Sequence, residues 1–135
     1  MAKEAGFGKE EKLKSRKLVE DLFVRGNGIN VFPIRVLYKF LPLTTDEKSL
    51  LQVGVSVSSK NFKKAVDRNR IKRLLRETYR LQKKDFLLLL KERNLKGYVF
   101  FIYTDKALPA YQIVFDTMTK CLKSLDRKII NEKSS

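Results

Sequence analysis

Apolar residues recur along this chain with two different periods, and the switches between them mark out the elements. From Ser15, a side chain suited to an N-cap, Leu18, Val19, Leu22 and Phe23 fall at i, i+1, i+4 and i+5, the stripe of a helix over roughly 15–25. Gly26 stands where a left-handed residue would close that helix. Between Val31 and Phe40 the period becomes two: Phe32, Ile34, Val36, Tyr38 and Phe40 share one face, and Arg35 and Lys39 fall on the other. Pro33 points to an edge position or a late onset of pairing. After the polar loop Pro42–Lys48, Leu51, Val53, Val55 and Val57 alternate with Gln52, Gly54, Ser56 and Ser58, a second strand expected to pair with the first as a hairpin.

Helical spacing returns over 68–84. Ile71, Leu74, Leu75 and Thr78 share one arc, and Arg68, Lys72, Arg73, Arg76, Arg80 and Lys83 share another. The leucine-rich stretch Asp85–Lys96 extends this helix or forms a second one beneath the sheet. Tyr98–Thr104 reads as a buried strand, and beyond Pro109 the residues Tyr111, Val114, Met118, Cys121, Leu122, Leu125 and Ile129 describe a helix to about Ile130. The expected order is α-β-β-α-β-α, a small sheet packed by helices in a single α+β domain over 15–130. A flexible basic arm, 1–14, precedes it and a frayed tail, 131–135, follows.

Composition narrows the chemistry. At 135 residues the chain is long enough for one core, but 30 Lys and Arg against 15 Asp and Glu leave +15, a self-repulsion that calls for a polyanionic partner. With no His and one cysteine, the familiar zinc sites, Ser-His-Asp triads and Cys-His pairs are excluded. Cys121 on its helix reads as a small buried hydrophobe, and a lone thiol suits a reducing, cytoplasmic setting. The carboxylates come in sequence-adjacent pairs such as Glu10 and Glu11 or Asp46 and Glu47, not the convergent set of a two-metal nuclease. No apolar run approaches the roughly 20 residues of a membrane helix, and the N-terminus lacks the apolar core of a secretory signal.

The charge is unevenly placed. Lys60–Lys84 carries eleven basic residues against Asp67 and Glu77. Like charges at i,i+4, as in Arg68 with Lys72, Lys72 with Arg76 and Arg76 with Arg80, each cost a helix about 0.2–0.5 kcal/mol unless a ligand neutralises them. A rod bearing such a ridge meets successive phosphates, with affinity driven by counterion release. Asn69 suits either a base or sugar contact or a helix N-cap. Phe23 and Tyr38 are either core residues or, if the first helix lies beside the sheet, rings on which unstacked bases rest. From the residues alone a ribosomal or general RNA-binding module fits as well. An anionic membrane surface fits less well, because the apolar arc is narrow and is needed by the sheet.

The run Lys63-Lys-Ala-Val-Asp-Arg-Asn-Arg-Ile-Lys-Arg-Leu-Leu-Arg-Glu-Thr-Tyr resembles the signature of the protein subunit of bacterial ribonuclease P, whose hallmark is Arg-Asn-Arg with further basic residues on a helix. The Leu22-Phe-Val-Arg-Gly segment, the Val36-Leu-Tyr strand and the Val53-Gly-Val-Ser-Val strand are similar to that family too, so the likeness spans roughly 12–130. It implies a ribosomal-protein-like βαβ fold with a left-handed crossover. It implies an RNA–protein endonuclease that removes the 5′ leader of precursor tRNA, with the active site and its Mg²⁺ held mainly by the RNA subunit and no catalytic residue in the protein. By motif, Arg68, Asn69, Arg70, Lys72, Arg73 and Arg76 take RNA-facing roles, with Lys60, Asn61, Lys63 and Lys64 in the preceding loop. Phe23 and Tyr38 match aromatic positions of the leader groove. Ser59 and Val19 depart from the family's frequent basic and aromatic residues. The implied partners are the catalytic RNA and the leader, with no membrane and no obligate protein partner.

Overall fold

A computed structural model describes residues 12–13, 15–43 and 50–134; residues 1–11 and 14 of the expected arm and 44–48 of the polar loop lie outside them. The elements are α1 (Arg16–Arg25), β1 (Asn27–Val31), β2 (Ile34–Pro42), β3 (Leu51–Val57), α2 (Ala65–Gln82), α3 (Lys84–Glu92), β4 (Leu95–Tyr103) and α4 (Tyr111–Ser134). They form an α+β domain whose helices and strands follow the expected order, with two additions: the short strand β1, and a separate α3 made by the leucine-rich stretch. β1 escapes the periodicity because Asn27, Gly28 and Asn30 break any apolar alternation.

The sheet runs β1-β2-β4-β3, with β1–β2 and β2–β4 antiparallel and β3–β4 parallel. The expected hairpin between the strands read over 31–40 and 51–57, here β2 and β3, is therefore corrected: β4 lies between them, and the hairpin is β1–β2, closed at Phe32 and Pro33. The reason is burial. β4 hides Val99, Phe101 and Tyr103 on one face and Phe100 on the other, so it takes an interior position with a neighbour at each edge. Pro33 sits in the turn, where its missing N–H costs no ladder bond, and Phe32 is solvent-exposed rather than part of the strand's apolar face.

Helices cover both faces. On one, Ile34, Val36, Val53, Val99 and Phe101 pack with Ile71, Leu75 and Tyr79 of α2, Phe86 and Leu90 of α3, and Val114, Met118 and Leu125 of α4. On the other, Leu22 of α1 meets Leu37, Phe100 and Leu13, flanked by Leu18, Val19, Tyr98 and Ile102. Leu13 is buried and its N–H donates to the Val53 carbonyl at 2.9 Å, so packing reaches into the segment expected to be an arm. Likewise α4 runs on through the expected tail to Ser134.

The first helix starts as its sequence dictates, with the Ser15 hydroxyl accepting from the Leu18 N–H at 3.2 Å. Its end differs from expectation. Gly26 has φ −73°, not a left-handed value, and the glycine is needed because a Cβ there would lie 2.5 Å from the Leu22 carbonyl oxygen. Cys121 is fully buried, and burial pushes its thiol up to about 12, leaving an inert apolar filler.

Candidate nucleic-acid interface

Helix α2 turns Ile71, Leu75, Thr78 and Tyr79 inward, at i, i+4, i+7 and i+8. Burying such side chains stabilises by roughly 1.5–3 kcal/mol each, which outweighs the like-charge repulsion on the other face. The buried Thr78 hydroxyl donates to the Leu74 carbonyl at 2.8 Å, so its polar atom is satisfied within the helix. Outward stand Asn69, Arg70, Arg73 and Arg76, with Lys72 half-buried. Among the described residues no carboxylate pairs with Lys63, Lys64, Arg70, Lys72, Arg73 or Arg76. A shallow hollow of about 220 Å³ opens among Arg73, Arg76, Glu77 and Arg80.

Three expectations about this helix are revised. Asn69 is not the N-cap: the helix begins at Ala65 with Lys64 in the cap position, which leaves the Asn69 amide exposed on the helix surface. Lys83 leaves the ridge, because the break between α2 and α3 buries it with its ammonium 5.9 Å from the Tyr79 ring centroid. Arg68 does not present its whole guanidinium outward. Its Nη1 donates to the carbonyls of Phe62 (2.8 Å) and Lys63 (2.9 Å), so it clamps the loop that precedes α2.

That loop is fastened at a second point. Asn61 Nδ2 donates to the Thr104 carbonyl at 3.5 Å, and Thr104 itself donates to the Pro33 carbonyl through both N–H (2.8 Å) and hydroxyl (3.0 Å). The Lys60 N–H donates to the Ser58 hydroxyl at 3.2 Å, and the side chains of Lys60, Lys63 and Lys64 are exposed beside the start of α2. Anchored backbone with exposed cations lowers the ordering cost of binding an anion.

The α1 face holds the aromatic part of the site. Phe23 is 56% exposed and meets Phe100 edge to face, with ring centroids 5.7 Å apart at 71°. Asp21 holds α1 to the sheet through Lys39 Nζ at 3.1 Å and lies 3.7 Å from Arg25. Beyond Phe100 a small cleft of about 160 Å³ is lined by Lys12, Gly54, Val55 and Arg76. Gly54 makes this cleft possible, since a Cβ there would sit 2.5 Å from two Phe100 ring carbons. Arg76 thus belongs both to the cationic ridge and to the cleft.

Tyr38 is not in that groove. It is 5% exposed on the opposite face of the sheet, among the α2, α3 and α4 core, with its ring centroid 5.2 Å from that of Phe40. The strand's own period of two requires this: a face that carries Ile34 and Val36 inward carries Tyr38 with them, and Leu37 and Lys39 turn toward α1. Phe100, Gly54 and Lys12 carry no signal in the sequence that would place them at a site. Parity offers no guide in β4, where both faces are apolar, and the place of Gly54 depends on its pairing with Phe100 across the parallel ladder.

Among the described residues no three His, Cys, Asp or Glu side chains converge. No helix among them is long and apolar enough to cross a membrane.

Comparison with known proteins adds three findings. The family model Ribonuclease P matches residues 7–129. The ribonuclease P protein component of Porphyromonas gingivalis is 36% identical over 118 residues, covering 87% of this chain and 84% of that one, and its counterpart in Chlorobium phaeobacteroides is 30% identical over 127 residues, covering 87% and 86%. The fold is similar to the solved RNase P proteins of Staphylococcus aureus (TM-score 0.63, 21% identity, 85% and 94% of the two chains) and Thermotoga maritima (TM-score 0.61, 20% identity, 84% and 96%).

Proposed function

Because this chain belongs to the ribonuclease P protein family, we propose that it binds the catalytic RNA of the holoenzyme along α2 and its preceding loop, and the single-stranded precursor-tRNA leader in the cleft beside α1. The observation that carries this reading is Arg76, which lines both the hollow on the cationic ridge and the cleft walled by Phe100, the ring that Phe23 meets edge to face. One RNA lying on the ridge and one strand entering the cleft would then meet at the same side chain.

The assignments follow from what each group has left to offer. Arg70, Lys72, Arg73 and Arg76 supply charge to phosphates, and Lys60, Lys63 and Lys64 extend that field over the loop. Asn69 has a donor and an acceptor for a sugar or base edge. Arg68 and Asn61 act mainly by holding the loop, with the remaining guanidinium nitrogens of Arg68 facing RNA. Phe23 gives a base a ring to rest on. Cutting is left to the RNA subunit, which holds the Mg²⁺. The protein's part is to bring two polyanions together and to position the leader, an effect most needed when little Mg²⁺ is present to screen them.

Reconstitution tests this. Added to the catalytic RNA at low Mg²⁺, the chain should increase precursor-tRNA cleavage and tighten binding of substrates as the leader lengthens. Absence of stimulation would overturn the reading. RNA binding without dependence on leader length would instead make the chain a general RNA-binding protein.

A further inference from the structure

Past the last cation of the ridge, Arg80, which also lines it, the end of α2 and the outer side of α3 frame an apolar hollow of about 390 Å³. Its lining includes Leu50, Leu81, Leu87 and Leu88, and two of these, Leu81 and Leu88, remain 51% and 55% exposed. Lys84 and Lys91, both exposed, stand at its rim. Along α3 the order is Lys84, Leu87, Leu88, Lys91, at i, i+3, i+4 and i+7, so two cations bracket two leucines on one stripe about 10 Å long. Nothing in the proposed RNA-binding role uses this stripe.

We infer that this hollow docks an acidic amphipathic helix of a protein partner, with apolar side chains seated on the leucines and carboxylates set two turns apart against Lys84 and Lys91. Charge complementarity selects this occupant. A second copy of the chain would bring Lys84 and Lys91 against their own like and +15 against +15. An RNA strand would find cations at the rim, but the leucine floor between them offers its phosphates and sugars no hydrogen bond. A lipid surface favours a projecting apolar face, whereas these leucines line a concavity. A helix that pairs leucines with glutamates satisfies both the floor and the rim, and an apolar floor rimmed by charge gives affinity and orientation together.

The test uses the full chain and a fluorescein-labelled helical peptide with glutamates at i and i+7 and leucines at i+3 and i+4, measured by anisotropy. A control peptide has the same composition with the leucines moved off the stripe. The striped peptide should bind more tightly by about tenfold or more, and Leu88→Glu should remove about tenfold of that affinity. Leu88→Ala, which carries no new charge, should weaken binding in the same direction, and Lys84→Glu with Lys91→Glu should weaken it and flatten its salt dependence. Circular dichroism and leader cleavage by the reconstituted holoenzyme should be unchanged in Leu88→Glu, which separates this site from the RNA-binding one. Equal binding of the two peptides overturns the inference, as does indifference to Leu88. So does a Leu88→Glu effect that falls instead on catalytic-RNA affinity, on binding to anionic phosphatidylglycerol vesicles, or on self-association in sedimentation, each of which hands the hollow to a different occupant.

Discussion

The Phe23 ring stands edge-on to Phe100 at 5.7 Å between centroids, tying the end of α1 to the interior strand β4. One member of this pair is exposed and the other is nearly buried, so the two are expected to fail differently when altered.

Phe23→Ala should leave stability almost unchanged, since the ring is more than half exposed, and should weaken binding of leader-bearing substrate by about 1–3 kcal/mol relative to mature tRNA. Tyr38→Ala should do the reverse. Its ring is core, so the loss is about 3–5 kcal/mol of folding stability with no selective effect on leader. Denaturant melts together with binding to the two RNAs distinguish the pair. A selective leader defect in Tyr38→Ala would contradict its placement on the far face.

Arg73→Ala with Arg76→Ala should make the slope of log affinity against log salt shallower by roughly 0.7–0.9 for each phosphate that is no longer neutralised, with little change in melting temperature. Arg68→Ala should show a different signature. Two loop carbonyls are deprived of a charged donor, so about 1–3 kcal/mol of stability should go with it, and the salt slope should move less. Salt titrations of RNA affinity alongside thermal melts provide the comparison.

Gly54→Ala places a methyl 2.5 Å from the Phe100 ring, with Leu13 Cβ at 3.5 Å. The ring must shift, at a cost of about 1–3 kcal/mol, and the shift disturbs its packing with Phe23. The variant should therefore lose stability and leader affinity together, where Phe23→Ala loses only the second. Melts and leader binding measured on both variants check this.

Asp126 carries the pH dependence most open to measurement. Burial raises its carboxyl above the ordinary value of 3.8, and the Asp85 charge adds to the rise, while its Oδ1 is buried without a hydrogen-bond partner among the described residues. Asp126 lines a hollow of about 280 Å³ together with Gln82, Asp85, Thr119 and Lys123. An acid whose pKa rises on folding binds its proton more tightly in the native state. Its contribution is thus most favourable below the unfolded value and is lost as pH climbs through the raised one. Asp126→Asn should leave stability near pH 3 little changed and increase it near pH 7 by about 1 kcal/mol, the low end for an unpaired acceptor in a partly solvated site. Thermal melts across that range measure it.

The amino-acid order by itself determined the helices α1, α2 and α4, the alternation that makes β2 and β3, the sidedness of α2, and the cationic run that marks the proposed RNA-facing surface. These follow from spacing within one element, and each residue's face is fixed by its neighbours at i+2 or i+4. The tertiary structure alone decided that β4 separates β2 from β3, because that choice depends on which strand can be buried on both faces. It also decided that Tyr38 lies in the core while Phe100 and Gly54 shape the cleft, since sheet faces acquire identities only when helices cover them. The dual use of Arg68 and the burial of Lys83 were equally out of reach of the sequence: a charge count cannot tell which cations are spent on carbonyls or rings of the same molecule.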